Sequence, residues 1–198
     1  MYEVQGTKYR IPLPTWFRQP LPDMEKIRKM QAMFRGVRLN TVCESARCPN
    51  MGQCWGRGVA TFMILGETCT RACRFCAVAA GRPQGVDPQE PEHVAQAVRE
   101  LHLSYVVITS VARDDLPDEG ARQFAATIQA VRDLNPGIKI EVLIPDFSNK
   151  GESLAVVGEA RPEVISHNME TVRLLSPEVR PQADYQRSLE VLKKLEAP

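Results

Sequence analysis

All six cysteines of this 198-residue chain fall between Cys43 and Cys76, a window of 34 residues. Cysteines serving a core would be scattered, so one short stretch needs thiols and the rest does not. They form two triplets. CESARCPNMGQC sets Cys43, Cys48 and Cys54 at C-x4-C-x5-C, and CTRACRFC sets Cys69, Cys73 and Cys76 at C-x3-C-x2-C. A disulfide framework belongs to oxidising compartments and core-poor domains. This chain is 43% hydrophobic, enough for a core, and its opening MYEVQGTKYRIPLP lacks the apolar run of a secretory signal. Structural zinc takes four N/S ligands, often in C-x2-C pairs. Only Cys73 and Cys76 have that spacing, and His93, His102 and His167 show no matching pattern. Iron–sulfur ligation suits the triplets better: a cubane has four irons, and three thiolates leave one iron open to a substrate.

The charge balance, 25 Lys+Arg against 24 Asp+Glu, argues against a general nucleic-acid binder, which needs a basic excess. No apolar run approaches the roughly 18 residues of a membrane span. The expected setting is the cytoplasm or an equivalent reducing compartment, with no membrane partner and a monomeric state.

Residues 1–58 form an N-terminal extension. Its one periodic stretch is PDMEKIRKMQAMFRG (22–36), where Met24, Ile27, Met30 and Phe34 recur at helical spacing and Gly36 is a stop signal. The proline-rich RIPLPTWFRQPLP should lie extended over the main body. From residue 59 strands and helices alternate. TFMILGET (61–68), 104–110, 139–145 and 163–169 read as strands; 90–103, 120–134, 151–160 and a segment from near Ala183 read as helices. Apolar strands separated by amphipathic helices mean parallel β/α units, here four. The second triplet follows the first strand, at the end where parallel α/β folds place their chemistry.

C-x3-C-x2-C after a first strand, with Phe75 before the last cysteine, resembles the radical S-adenosylmethionine (SAM) superfamily. Together with TVCESARCPNMGQCW, YVVITSVARDDLPDEGA and SHNMETV, it resembles the lipoyl synthases from about Ile11 to Leu195. The resemblance implies an α/β fold, the radical SAM partial (β/α)6 barrel. Six units of roughly 30 residues need more chain than follows residue 58, so the expectation is a C-terminally truncated barrel over 59–198. It implies two [4Fe–4S] clusters and SAM. Cys69, Cys73 and Cys76 would hold the SAM-cleaving cluster. Cys43, Cys48 and Cys54 would hold an auxiliary cluster consumed as the sulfur source. The family's fourth auxiliary ligand is a serine in an Arg-Ser-Ser-Tyr motif, absent here. Arg187-Ser188 sits in an expected helix and is not assigned, so the auxiliary cluster is expected to be labile or missing.

The resemblance also points to SAM contacts. Thr109 and Ser110 close the second strand, where the superfamily reads SAM's amino group. Asn168 and Glu170, in a segment like that of biotin synthase, would share the ribose hydroxyls, and an i, i+2 pair on a strand points one way. Arg180 would pair with the SAM carboxylate, with Arg173 as competitor. His167 reads as a packing or hydrogen-bonding residue. The acidic run Asp114, Asp115, Asp118 and Glu119 reads as solvated acids at a helix start. The family pattern has an acid at the Ala112 position and glycine at the Glu119 position, so this loop departs from it.

The implied substrate is an octanoyl-lysine on a lipoyl carrier, either a lipoyl domain or a glycine-cleavage H-type protein. The implied reductant is a donor such as ferredoxin or flavodoxin. Residues 1–58 hold ten Lys/Arg against four Asp/Glu, and the remainder fifteen against twenty. That asymmetry suits an acidic carrier steered by Lys26, Arg28 and Lys29, or plain solubilising charge. Two other readings stand beside this one: another sulfur-inserting radical SAM enzyme, and a non-enzymatic iron–sulfur protein.

Overall fold

The computed structural model describes residues 2–4, 7–9, 23–36, 39–46 and 48–195. The expected extended stretch 10–22 and the Lys26 side chain lie outside the described residues. The chain opens with a hairpin of β1 (Tyr2–Val4) and β2 (Thr7–Tyr9). Helix α1 (Met24–Gly36) buries Ile27, Met30 and Phe34 on one face and leaves Arg28, Lys29 and Arg35 outside. Three short elements follow: β3 (Asn40–Thr41), α2 (Val42–Ser45) and α3 (Met51–Gly56). None was expected from periodicity.

The body consists of β4 (Val59–Ile64), β5 (Thr68–Cys69), β6 (Ala79–Ala80), α4 (Glu90–Glu100), β7 (Tyr105–Ser110), α5 (Ala121–Leu134), β8 (Lys139–Leu143), α6 (Gly151–Glu159), β9 (Val164–Ser166), α7 (Ser176–Val179) and α8 (Tyr185–Leu195). The main sheet runs β3-β4-β7-β8-β9, with β4, β7, β8 and β9 parallel and β3 antiparallel on the edge. Each crossover advances one strand in the same direction, so right-handed connections put every helix on one face. Accordingly α4 packs on α5, α5 on α6 and α6 on α8. These are the four expected β/α units of a partial barrel.

Strand alternation divides the labour. Phe62, Ile108 and Val142 share a register row and are fully buried, as are Val106 and Ile140. Met63, Thr109 and Leu143 form the adjacent row, on the opposite, concave face. The core runs from Ile27 to Val191, so the extension and the barrel share it. Phe34 joins them, meeting Trp55 edge-on at 5.5 Å and Phe62 edge-on at 5.6 Å.

The first strand is shorter than TFMILGET suggested. It stops at Ile64 because Leu65 (φ 69°) and Gly66 (φ 93°) turn through left-handed backbone. The buried Glu90 carboxylate fixes that turn, accepting the Leu65 N–H at 2.9 and 3.0 Å. Gly120 closes the turn from outside. Its φ is +91°, and a Cβ there would stand 2.3 Å from Leu65 Cδ1. Gly120→Ala should therefore cost about 1–3 kcal/mol through overpacking and strain. A urea midpoint matching that of the unsubstituted chain would contradict this.

Candidate functional site

The two triplets are held differently. Thr41 accepts the Glu44 N–H at the start of α2, which puts Cys43 inside the core side of that helix. The Cys48 N–H donates to the Cys43 carbonyl at 3.0 Å, and Asn50 starts α3, which carries Cys54. Cys43 is buried; Cys48 and Cys54 are half-buried. Burial, foremost, pushes the Cys43 thiol up, and charge on Cys48 or Cys54 would push it further; the Thr61 backbone N–H and Trp55 pull the other way.

The second triplet sits on a loop pinned at both ends. β5 pairs with β6 through Thr68↔Ala79 and Cys69↔Ala80. Between them the chain folds back, and the backbone N–H groups of Arg71 and Ala112 donate to Cys69 Sγ at 3.4 and 3.3 Å. Arg71 is the anchor. It is 8% exposed and binds Asp114 Oδ1 at 2.6 Å and Asp146 Oδ1 at 2.7 Å. Asp146 is fully buried, just beyond β8, and also meets Arg187 at 3.4 Å. Burial alone would lower the Arg71 guanidinium's affinity for its proton, but the hydrogen bonds to Asp114 and Asp146 win and hold it charged.

Cys69, Cys73 and Cys76 line one cavity of about 260 Å³ at the carboxyl ends of β4, β7, β8 and β9. Met63, Thr109, Ser110, Asn168, Glu170 and Arg180 line it too. So every expected SAM-contact residue reaches the cavity of the second triplet. Arg173 does not; it borders a separate groove with Pro177 and Tyr185. A wider cleft of about 710 Å³ lies outside the rim, between Leu116 and Val156, and has no cysteine in its walls.

Within the cavity the side chains are unequally committed. The Thr109 hydroxyl donates to the Leu143 carbonyl at 2.8 Å. Ser110 Oγ is buried without a partner among the described residues. Asn168 and Glu170 lie beyond the last strand, which ends at Ser166, and Glu170 has φ 62°, so strand alternation does not align them. They meet nonetheless, Asn168 Nδ2 donating to Glu170 Oε1 at 2.9 Å. Arg180 is 7% exposed and donates to the Asn168 and Met169 carbonyls at 3.1 and 2.9 Å, bracing that segment. Burial, foremost, pushes the Cys73 thiol up, and Arg180 pulls it down. His167 bridges the Ile144 carbonyl and Ser188 Oγ, a structural role as expected, and Ser188 is fully buried in α8.

The acidic run is a correction. Only Asp118 acts as a helix-start acid, accepting the Gly120 and Arg122 N–H groups. Asp114 clamps Arg71, Asp115 pairs with the buried Arg113, and Glu119 is 3% exposed and pairs with Lys150. Three of the four are spent on basic partners; Asp115 finds its own two residues away, while the partners of Asp114 and Glu119 are far along the chain.

The donor chemistry fits iron–sulfur clusters. All six thiols are free, Cys69, Cys73 and Cys76 line one cavity, and thiolate sulfur is the usual protein ligand of such clusters.

Residues 63–197 match the model of the radical SAM superfamily. The chain is 54% identical over 180 residues to a lipoyl synthase of Rubrobacter xylanophilus, which covers 91% of this chain and 56% of that protein. It is 50% identical over 188 residues to a mitochondrial lipoyl synthase of Nematostella vectensis, covering 95% and 65%. A lipoyl synthase of Bacteroides fragilis is 48% identical, covering 96% and 66%. The chain thus spans between 56% and 66% of these curated relatives. Among solved structures it resembles methylornithine synthase, with TM-score 0.52, 14% identity, and 69% of this chain and 40% of that one covered. That likeness concerns the fold.

Proposed function

The chain belongs to the radical SAM superfamily, and from that premise we propose that it carries the chemistry of a lipoyl synthase. The reaction inserts two sulfur atoms, at C6 and C8 of an octanoyl group amide-linked to a carrier-protein lysine. The observation that carries this reading is the single cavity shared by Cys69, Cys73, Cys76 and the SAM-contact residues, in a chain that carries the further thiol triplet Cys43, Cys48 and Cys54.

A [4Fe–4S] cluster on Cys69, Cys73 and Cys76 supplies, when bound, the one-electron cleavage of SAM that permits hydrogen abstraction from an unactivated C–H bond. The chain's residues do the placing. Arg71, locked between Asp114 and Asp146, holds the backbone that presents Cys69. Asn168 and Glu170 address the ribose hydroxyls, and Ser110 offers its unpartnered oxygen to the amino group. Arg180, already bracing the Asn168 carbonyl, faces the SAM carboxylate with its charge. Apolar walls from Met63, Leu143 and Ile144 exclude water.

The first triplet, Cys43, Cys48 and Cys54, holds the sulfur donor, a [4Fe–4S] cluster consumed as substrate. Two C–H bonds break, two C–S bonds form and two SAM molecules are used per lipoyl group. The partners are octanoylated lipoyl domains or an H-type carrier, with ferredoxin or flavodoxin as reductant, in the cytoplasm. Among the described residues no helix is long and apolar enough to cross a membrane.

The test is anaerobic reconstitution with iron and sulfide, followed by dithionite, SAM and an octanoyl-lysine peptide. The expected products are 5′-deoxyadenosine and a peptide heavier by two sulfurs less two hydrogens. Deoxyadenosine without any sulfur-bearing peptide would leave the superfamily chemistry and sink the lipoyl synthase reading.

A further inference from the structure

Beyond Cys69 the chain leaves the short β5–β6 pairing, and the fold supplies the next stretch with a partner from far along the sequence. The Thr70 N–H is tied to the body of the barrel, donating to the Ala112 carbonyl at 3.0 Å. Two neighbouring backbone groups find a different partner. The Ala72 N–H donates to Gln182 Oε1 at 2.6 Å, and the Thr70 carbonyl accepts from Gln182 Nε2 at 3.2 Å. A side-chain amide carries the same donor and acceptor as a peptide group, so it docks here as a neighbouring strand would. The backbone offers one N–H and one carbonyl, and only one orientation of the amide satisfies both.

The segment around Gln182 grips the loop elsewhere too. The Arg74 N–H donates to the Val179 carbonyl at 3.0 Å, and the Arg74 guanidinium meets Glu178 at 3.0 Å. Between these contacts lies Arg180, which lines the cavity with the three thiols and braces the Asn168 and Met169 carbonyls. One short segment thus holds the outside of the thiol loop and one wall of the cavity. Gln182, Ala72 and Arg74 are exposed, so water would replace these bonds at little cost to the whole fold. What they fix is local: the path of the backbone between two thiols.

Given a cluster on Cys69, Cys73 and Cys76 as proposed above, we infer that Gln182 is a positioning residue for it. Its amide sets the backbone between Cys69 and Cys73 and ties that backbone to the segment that presents Arg180. Arg71 holds the loop from within and Gln182 from outside, so the metal meets ligands already placed.

The experiment uses the full chain with Cys48 and Cys54 replaced by alanine, leaving the buried Cys43 to the core, so that only the second triplet can carry a cluster. Amide exchange is followed by NMR before iron is added. Gln182→Ala should speed exchange at Ala72 by about tenfold and leave the melting temperature within about 3 °C. Gln182→Glu keeps an acceptor for the Ala72 N–H and should keep its protection, while setting a carboxylate against the Thr70 carbonyl. After reconstitution with iron and sulfide, Gln182→Ala should release iron to a chelator about tenfold faster, with Gln182→Glu between the two. The SAM concentration that half-converts the reduced cluster's electron paramagnetic resonance signal should rise about fivefold in Gln182→Ala. Equal Ala72 exchange in the Gln182 and Gln182→Ala chains overturns the inference, as does faster exchange with iron release and SAM response unmoved. Failure of the chain with Gln182 intact to take up any cluster overturns the ligand reading itself, and the inference with it.

Discussion

Alanine at Cys69, Cys73 and Cys76 should reduce SAM-dependent 5′-deoxyadenosine formation to background. Alanine at Cys43, Cys48 and Cys54 should leave that reaction in place and abolish sulfur insertion. The asymmetry follows from where the thiols stand. The second triplet shares its cavity with Ser110, Asn168, Glu170 and Arg180, whereas the first is built on α2 and α3, with Cys43 buried against the edge of the sheet. Losing a shared cluster is all-or-none, so the expected effect is loss of turnover, not a fractional decline. By Mössbauer spectroscopy the first-triplet variant should lose only the auxiliary cluster's share of the iron, about half where that cluster is retained and little where it is labile. Loss of deoxyadenosine in both triple variants would show that the sites are not separable. An unsubstituted chain that retains only one cluster's iron would show that the first triplet does not hold its cluster here.

Asp146→Ala should be the most damaging single substitution away from the cysteines. Asp146 is fully buried and accepts from Arg71, Arg187 and the Ser148 N–H. Without it the buried Arg71 keeps only Asp114, and a buried ion pair broken on one side costs about 3–5 kcal/mol. For a chain of this size that lowers the melting temperature by roughly 6–20 °C. Asp114→Ala should cost far less, about 1 kcal/mol, since that side chain is 37% exposed. The acid limb carries the same signature. Burial, the largest influence, pushes the Asp146 carboxyl up, but Arg71's hydrogen bond and charge bring the net result below the ordinary value. Asp114 is lowered in the same way. A carboxyl depressed in the native state stabilises fully above its unfolded value and loses that contribution as pH falls through the native one. Stability should thus be level at neutral pH and decline below about pH 4. Asp146→Asn should be less stable at neutral pH and lose less on acidification. Parallel acid limbs for the two proteins would rule out this network as their source.

The sequence is legible where the physics is local. Val106, Ile108, Ile140 and Val142 announce buried parallel strands, and the triplet spacings need no partner outside themselves. The elements between residues 40 and 56 were not legible. The two residues of β3 exist only because β4 lies beside them, and α2 is a single turn capped by Thr41. The Arg71 anchor was hidden for a related reason. Its partners lie 43 and 75 residues along the chain, and Asp146 at a strand end looks like a solvated acid until the loop folds over it. Asn168 and Glu170 show the converse: the pairing was readable from their spacing, while the backbone that achieves it is a left-handed loop residue and not a strand.

The antiparallel edge has a mechanical meaning. Asn40 and Thr41 are clamped to Met63 and Phe62, so the thiol two residues beyond Thr41 is referenced to β4, whose far end turns directly into the loop of the other triplet. One strand therefore serves as the ruler for both sulfur sites. Their separation cannot be adjusted gradually. A one-residue slip would turn Thr41 to the wrong face, and the next permitted setting lies two residues away, roughly 7 Å.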